Sequence, residues 1–496
     1  MKQPSLDQST PERPVVGTAS RAHPTRTRLR VPVGWATTVA LALALTLAGC
    51  ANLAPTYEVP AVQTPVAFKE GQGAWVPAAP ADTLERGPWW ELFDDPVLSR
   101  LAAQVEVSNN NVAAAVAAYR QARALTREQR ASLFPAVDLD ARNSRSGGGD
   151  TATRGSYQVD IGLSWEPDVF GRLGLAVQNA RAGEQIAEAD IGSARLAARG
   201  ELAAAYFALR EADVLRGLQQ QTLAGYRRSL QITRNRYDAG VVARTDVLQA
   251  ESQLANSEAD LLTLERQRAT SEHAIAVLVG QAPASFDLPV DAGWSIQVPA
   301  IPPVVPSTLL QRRPDIAAAE RAVAQANARI GIARAGFFPS ISLTGSVGLT
   351  AASFSELFSA SSLAWSLGSS LAQMIFDAGA TEARVEQARA GLEESSARYR
   401  QTVLTAFQDV EDQLVALRVL LQQQALRRQA SSAADLVEQQ VLNRYEAGQV
   451  GYTEVITAQQ NAATARRALV QAQIDRQLAA VALIQALGGD WQSIGI

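Results

Sequence analysis

The 496-residue sequence has only two histidines (His23 and His273), one cysteine (Cys50) and two methionines (Met1 and Met374). A His/Cys metal cluster cannot be assembled from that supply, nor can a nucleophilic site that needs Cys or His. A single Cys excludes an intrachain disulfide. A copper or silver relay through Met and His is disfavoured for the same reason. No glycine-rich phosphate loop follows a strand. These shortages argue against an enzyme, a resident metal and any cofactor. Basic charge is also scarce. The net charge is −4, and residues 1–49 hold six basic and two acidic groups, so the remainder carries −8. Nucleic-acid binding needs a basic footprint, and this chain lacks one.

The apolar run from Trp35 to Ala48 follows Arg26, Arg28 and Arg30. It is too short to span a bilayer, which takes about 20 residues. It has the length of a signal-peptide core behind a basic flank. The run ends Leu47-Ala48-Gly49-Cys50, which resembles a bacterial lipobox. Residues 1–49 are therefore expected to be a signal peptide, with Cys50 the lipidated first residue of the mature chain. Ala51, not Asp, follows the Cys, a pattern that in lipoproteins implies sorting to the outer membrane. Residues 50–96 read as an anchored, Pro-rich segment laid over a surface.

The rest is a tandem duplication. Asn235-Arg236-Tyr237-Asp238-Ala239-Gly240 recurs as Asn443-Arg444-Tyr445-Glu446-Ala447-Gly448, and Phe134-Pro135 recurs as Phe338-Pro339. Phe170 matches Phe376, and Ala180-Arg181-Ala182-Gly183 matches Ala388-Arg389-Ala390-Gly391. The period is far longer than that of a solenoid, so each half should be a large unit. The expected units are residues 97–298 and 299–490, followed by a short tail, 491–496. In the first, residues 97–133 read as one helix. Tyr157, Val159, Ile161, Leu163 and Trp165 then alternate with polar residues, as on a two-faced strand. Gly147-Gly148-Gly149-Asp150 marks a hairpin loop before it. Helices at 175–236 and 242–279 follow. The second half repeats the plan: a helix at 314–336, strands around Ile341–Leu349 and Leu363–Leu371, and helices at about 380–445 and 450–487.

A 62-residue helix should be roughly 90 Å long at about 1.5 Å per residue, which suits a helical tube. Val247, Leu254 and Leu261 lie seven apart, as do Val455, Ala462 and Leu469, a coiled-coil spacing. Four amphipathic strands cannot close a barrel alone, and an open edge is not tolerated in lipid. Three chains would supply twelve strands, within the range of outer-membrane barrels.

Trp89-Trp90-Glu91-Leu92-Phe93-Asp94-Asp95-Pro96, Asn109-Asn110-Asn111, Trp165-Glu166-Pro167-Asp168-Val169-Phe170-Gly171-Arg172, Arg312-Arg313-Pro314-Asp315-Ile316 and Ile375-Phe376-Asp377-Ala378-Gly379 together resemble the TolC-like outer membrane efflux protein family. The closer likeness is to its NodT/OprM-type lipoproteins. The resemblance implies a mainly α fold with a membrane β-barrel. It implies a homotrimer with a shared 12-stranded barrel and a long α-helical periplasmic barrel. It implies a passive exit duct for drugs or other small molecules, anchored in outer-membrane lipid through Cys50. The partners implied are a periplasmic membrane-fusion adaptor and an inner-membrane RND transporter. The alternative is the exit duct of a type I protein secretion system, which shares the fold. A soluble coiled-coil scaffold is opposed by the amphipathic strands.

Candidate functional residues fall in the duplicated turns. Gly240 and Gly448 suit the left-handed position that ends a helix. Thr245 and Thr453 are expected to cap the next helix, and Asp246 and Glu454 to favour its positive end. Tyr237, Gly240, Thr245, Tyr445, Gly448 and Thr453 are thus expected at the periplasmic tip where the adaptor docks. By resemblance, Asp246, Glu454 and Arg244 are candidates for the aperture gate, with Arg444 a further partner for the carboxylates. The family's TolC members lock neighbouring coils with a Tyr, an Arg and an Asp. Tyr445 and Asp246 match, but Val450 stands where the Arg would be.

Overall fold

The computed structural model describes residues 53–65, 67–70, 88–149, 151–295, 297–299 and 313–489. Residues 1–52, with the expected signal segment and Cys50, and the 491–496 tail lie outside the described residues. Among the described residues the α-helices and strands follow in chain order: α1 (Pro96–Ser108), α2 (Asn110–Ala131), β1 (Ala136–Gly148), β2 (Thr151–Trp165), α3 (Arg172–Asp238), α4 (Arg244–Leu278), α5 (Pro314–Ala335), β3 (Ser340–Ala351), β4 (Leu363–Ala372), α6 (Ala380–Glu446) and α7 (Tyr452–Ala486).

The single helix expected over 97–133 is two. Asn109 breaks it, extended at φ −70° and ψ 122°. Its side-chain oxygen accepts from the Asn111 and Val112 amides at 2.9 and 3.1 Å, and its amide donates to the Leu278 carbonyl at 2.8 Å. Asn competes well for backbone donors at a helix start. The tertiary bond to Leu278 fixes the break here. Asp95 caps α1 in the same way, accepting from the Val97 and Leu98 amides, with Pro96 in the first turn where its missing N–H costs nothing.

The two hairpins are one sheet of order β1-β2-β3-β4, antiparallel throughout. Val137, Leu163, Gly345 and Leu367 lie in one row across it, and Leu139, Ile161, Val347 and Trp365 in the next. Successive side chains point to opposite faces, so these rows make one apolar face. Asp138, Asp140, Asp160, Ser346 and Ser366 make the other. The strands are 13, 15, 12 and 10 residues long, and the first three exceed the roughly 9–11 expected for a span. Among the described residues, β1 and β4 are edges with no further strand beside them.

α3 and α6 each have 67 residues, about 100 Å at ~1.5 Å per residue. Both leave the sheet end and return as α4 and α7. A core lies partway along: Leu98, Leu101, Leu202, Phe207, Ile275 and Ile484 are buried there. Beside it runs a buried polar chain. Asp95 accepts from the Tyr206 hydroxyl at 2.7 Å and the Trp294 indole N–H at 3.0 Å. Arg210 Nε donates to the Tyr206 hydroxyl oxygen, and Asp213 accepts from Arg210 at 2.9 Å and Arg268 at 2.8 Å. Asp213 is fully buried between those two guanidinium groups, which offset its desolvation.

Residues 53–65 and 67–70 lie over the second half. Arg334 donates to the Leu53 carbonyl, Asn327 to that of Pro55, and Glu411 accepts from the Lys69 and Glu70 amides. These residues therefore start near the sheet and run away from it.

Candidate functional site

The two duplicated turns lie side by side at the end of the molecule remote from the sheet. Each ends its helix in the same way. Gly240 and Gly448 sit at φ 72° and 75°, which a side chain would make costly. The Val241 amide reaches back to the Arg236 carbonyl and the Gln449 amide to that of Arg444, both at 2.8 Å. This is the six-to-one closure of a glycine-terminated helix.

The helix starts differ from the expectation. Ala243 and Gly451 occupy the capping positions, and no side chain caps either start. Thr245 and Thr453 lie two residues later with exposed side chains, so neither cap exists. Extended backbone at Ala243 and Gly451 starts each helix two residues earlier than the Thr would. Asp246 and Glu454 then fall in the first turn, where the helix dipole favours a carboxylate. Arg244, Arg444, Thr453 and Glu454 are exposed and Asp246 is half-buried. Among the described residues, no ion pair joins Arg244 or Arg444 to Asp246 or Glu454.

What joins the turns is an aromatic cluster that the sequence did not single out. Tyr445, Tyr452, Val455, Leu230 and Ala250 are buried together. The Tyr445 and Tyr452 rings lie 5.6 Å apart. The Arg236 guanidinium sits 4.6 Å over the Tyr445 ring and donates to the Tyr445 carbonyl at 2.5 Å. Thr233 and Tyr445 share a hydroxyl hydrogen bond at 3.1 Å. Arg228 pairs with Glu446. Burial, then Tyr445, Tyr226 and the Asp246 carboxylate, push the Tyr452 phenol well up, so it stays neutral and holds its place in the cluster. The only prior signal for Arg236 was its place in the repeated string, and Tyr452 lies just beyond the second copy of that string. Tyr237 has the same local sequence as Tyr445 but is 41% exposed, against 1% for Tyr445.

Among the described residues, no group of His, Cys, Asp and Glu is placed to hold a metal ion, and no helix is long and apolar enough to cross a membrane. The membrane-suited surface is the apolar face of the sheet: Leu139 is 72%, Trp365 77% and Leu367 81% exposed.

The outer membrane efflux protein family profile matches residues 101–281 and 305–489. The chain is 34% identical to the outer membrane protein OprJ of Pseudomonas aeruginosa over 466 residues, covering 91% of this chain and 95% of that one. It is 33% identical, at the same coverage, to the probable efflux pump outer membrane protein TtgC of Pseudomonas putida. Its fold matches the open-state structure of the Neisseria gonorrhoeae MtrE outer membrane channel with a TM-score of 0.80 at 29% identity, over 89% of this chain and 99% of that one. The chain belongs to the outer membrane efflux protein family and has the TolC-like fold of its channels.

Proposed function

We propose that the protein is the outer-membrane exit duct of a tripartite efflux system. Three copies pool their sheets into a 12-stranded barrel, and their long helices form a tube across the periplasm. The observation that carries this is the register of the sheet. Four strands put their large apolar side chains on one face and leave both edges unpaired. An unpaired edge in lipid leaves its N–H and C=O groups without partners, so closure needs further copies. Residues 97–298 and 299–490 are the two repeats of the duct wall. The Asp-, Ser- and Thr-bearing face lines a wet lumen through which small molecules pass without chemistry.

The paired turns are the periplasmic tip. Tyr237, Gly240, Thr245, Tyr445, Gly448 and Thr453 form the surface for a periplasmic adaptor, which joins the duct to an inner-membrane RND transporter. Asp246, Glu454 and Arg244 border the aperture, where three copies bring their carboxylates about one axis. Cys50 carries the lipid anchor. The placement of Leu53 beside Arg334, near the start of β3, supports an anchor that meets the membrane at the sheet end.

The test is export. Cells lacking the protein should retain a fluorescent pump substrate several-fold longer, and a plasmid copy should restore its release. The purified protein should also give discrete conductance steps in planar bilayers. Unchanged retention together with silent bilayers would refute the reading.

A further inference from the structure

The duplication makes α2 and α5 counterparts of 22 residues each, offset by the spacing between Phe134-Pro135 and Phe338-Pro339. Position for position, Arg123 corresponds to Asn327, Arg127 to Gly331 and Arg130 to Arg334. On α5 this face is covered. The Asn327 side-chain amide donates to the Pro55 carbonyl at 2.8 Å, and Arg334 donates to that of Leu53 at 3.1 Å. Gly331 lies between them, and a Cβ there would come within 2.8 Å of the Ala54 nitrogen. The chain that follows Cys50 thus rests on Asn327, Gly331 and Arg334.

On α2 the same face is bare and charged. Arg120, Arg123, Arg127 and Arg130 follow at spacings of three, four and three, which puts them on one side of the helix. All four are exposed, and among the described residues none is in an ion pair. Glu128 is the one acid in α2. The chain beyond residue 49 carries −8, so a row of four guanidinium groups runs against its overall charge. Like charges one turn apart repel unless an anion meets them. A second strap cannot be the cover, because Arg127 stands where Gly331 leaves room for Ala54.

Position identifies the anion. The strap descends from Cys50, so with Cys50 anchored in outer-membrane lipid this face of α5, and its counterpart on α2, is turned outward. Arg130 lies four residues before Phe134, which is 66% exposed, and Val137 and Leu139 of the apolar face follow. At ~1.5 Å per residue the rise from Arg123 to Arg130 is about 10 Å. The polar layer of one leaflet is about 5–8 Å thick. Arg130 and Arg127 therefore stand in the layer below the barrel. Arg123 lies at its edge, within the ~8 Å over which surface charge is felt.

We propose that the Arg123, Arg127 and Arg130 face of α2 binds the headgroups of anionic phospholipid in the periplasmic leaflet. The guanidinium forks match phosphate oxygens two at a time. One repeat is thus held at its depth by the strap and the other by charge. The inference rests on the outer-membrane duct reading and on the anchor at Cys50.

The experiment is native mass spectrometry of the full processed chain in detergent, titrated with phosphatidylglycerol and, separately, with zwitterionic phosphatidylethanolamine of the same acyl chains. The parent should hold phosphatidylglycerol more tightly, by roughly fivefold for each Arg that meets a headgroup. Arg123→Gln/Arg127→Gln/Arg130→Gln should lose that preference at unchanged three-chain mass. Arg123→Lys/Arg127→Lys/Arg130→Lys should keep most of it. Arg266→Gln/Arg427→Gln/Arg428→Gln removes the same charge from exposed sites remote from the sheet and should keep all of it. Equal affinity of the parent for the two lipids overturns the proposal, as does a preference that survives the α2 Gln substitutions or is lost equally in the remote variant. Intact lipid preference with lost sedimentation on purified peptidoglycan would give the face to wall carboxylates and overturn it also. A chain that binds neither lipid and stays dissolved without detergent overturns the outer-membrane reading, and this inference with it.

Discussion

Leu367→Arg separates a membrane barrel from a soluble sheet. Leu367 lies at the middle of β4, on the apolar face, and is 81% exposed. In water, an exposed Leu replaced by Arg changes stability by less than about 0.5 kcal/mol. On the lipid face of a barrel the same change costs about 2–4 kcal/mol at the bilayer midplane. Three copies raise that to about 6–12 kcal/mol per assembly, comparable to the stability of a whole domain. The neighbouring residue supplies the control. Ser366 points to the other face, where its hydroxyl bonds that of Ser346 at 2.8 Å, and Ser366→Arg places the charge in the wet lumen. The assay is the fraction of each variant recovered in the outer membrane and its resistance to unfolding in detergent. Leu367→Arg should be nearly absent from the membrane, and Ser366→Arg should insert as the parent does while altering conductance. Equal insertion of the two variants would refute the assignment of faces, and a harmful Ser366→Arg beside a harmless Leu367→Arg would reverse it.

Other residues give independent checks. Asp213→Ala leaves Arg210 buried without its carboxylate and Arg268 with Glu272 alone and should destabilise the chain by about 3–5 kcal/mol, read as a lowered denaturation midpoint; a midpoint within error of the parent would contradict the network's role. Burial, then the Asp475 carboxylate, push Glu211 up to about 6. An acid raised on folding binds more protons folded than unfolded between its two pKa values, so stability should fall as pH rises through roughly 4.5 to 6. The cost at neutral pH is on the order of 1–2 kcal/mol, and Glu211→Gln should flatten that part of the pH profile. Cys50→Ser should abolish palmitate labelling, and persistent labelling would refute the anchor.

The elements most legible in the sequence were those written twice. The repeated Phe-Pro and Asn-Arg-Tyr strings fixed the order of helices, and the alternation from Tyr157 to Trp165 fixed a face of the sheet. The pairing of β2 with β3 was not visible, because strand alternation says which side a residue faces and not which strand lies beside it. Asn109 broke a helix that composition made continuous, since its tertiary bond to Leu278 comes from 169 residues away. Thr245 and Thr453 looked like caps, but extended backbone at Ala243 and Gly451 decided the helix starts. Asp213, Arg210 and Arg268 resemble ordinary surface charges on long helices; only packing brings them together. At the tip, Tyr237 and Tyr445 share their local sequence and differ in burial, so their surroundings, not their neighbours in sequence, set them apart.

The central claim is that several copies pool four strands each into one membrane wall. Light scattering on the detergent-purified, processed protein, with the detergent contribution subtracted, measures it most directly. The account predicts a protein mass of three chains that partitions with outer-membrane fractions. A single chain that stays in solution without detergent would contradict it.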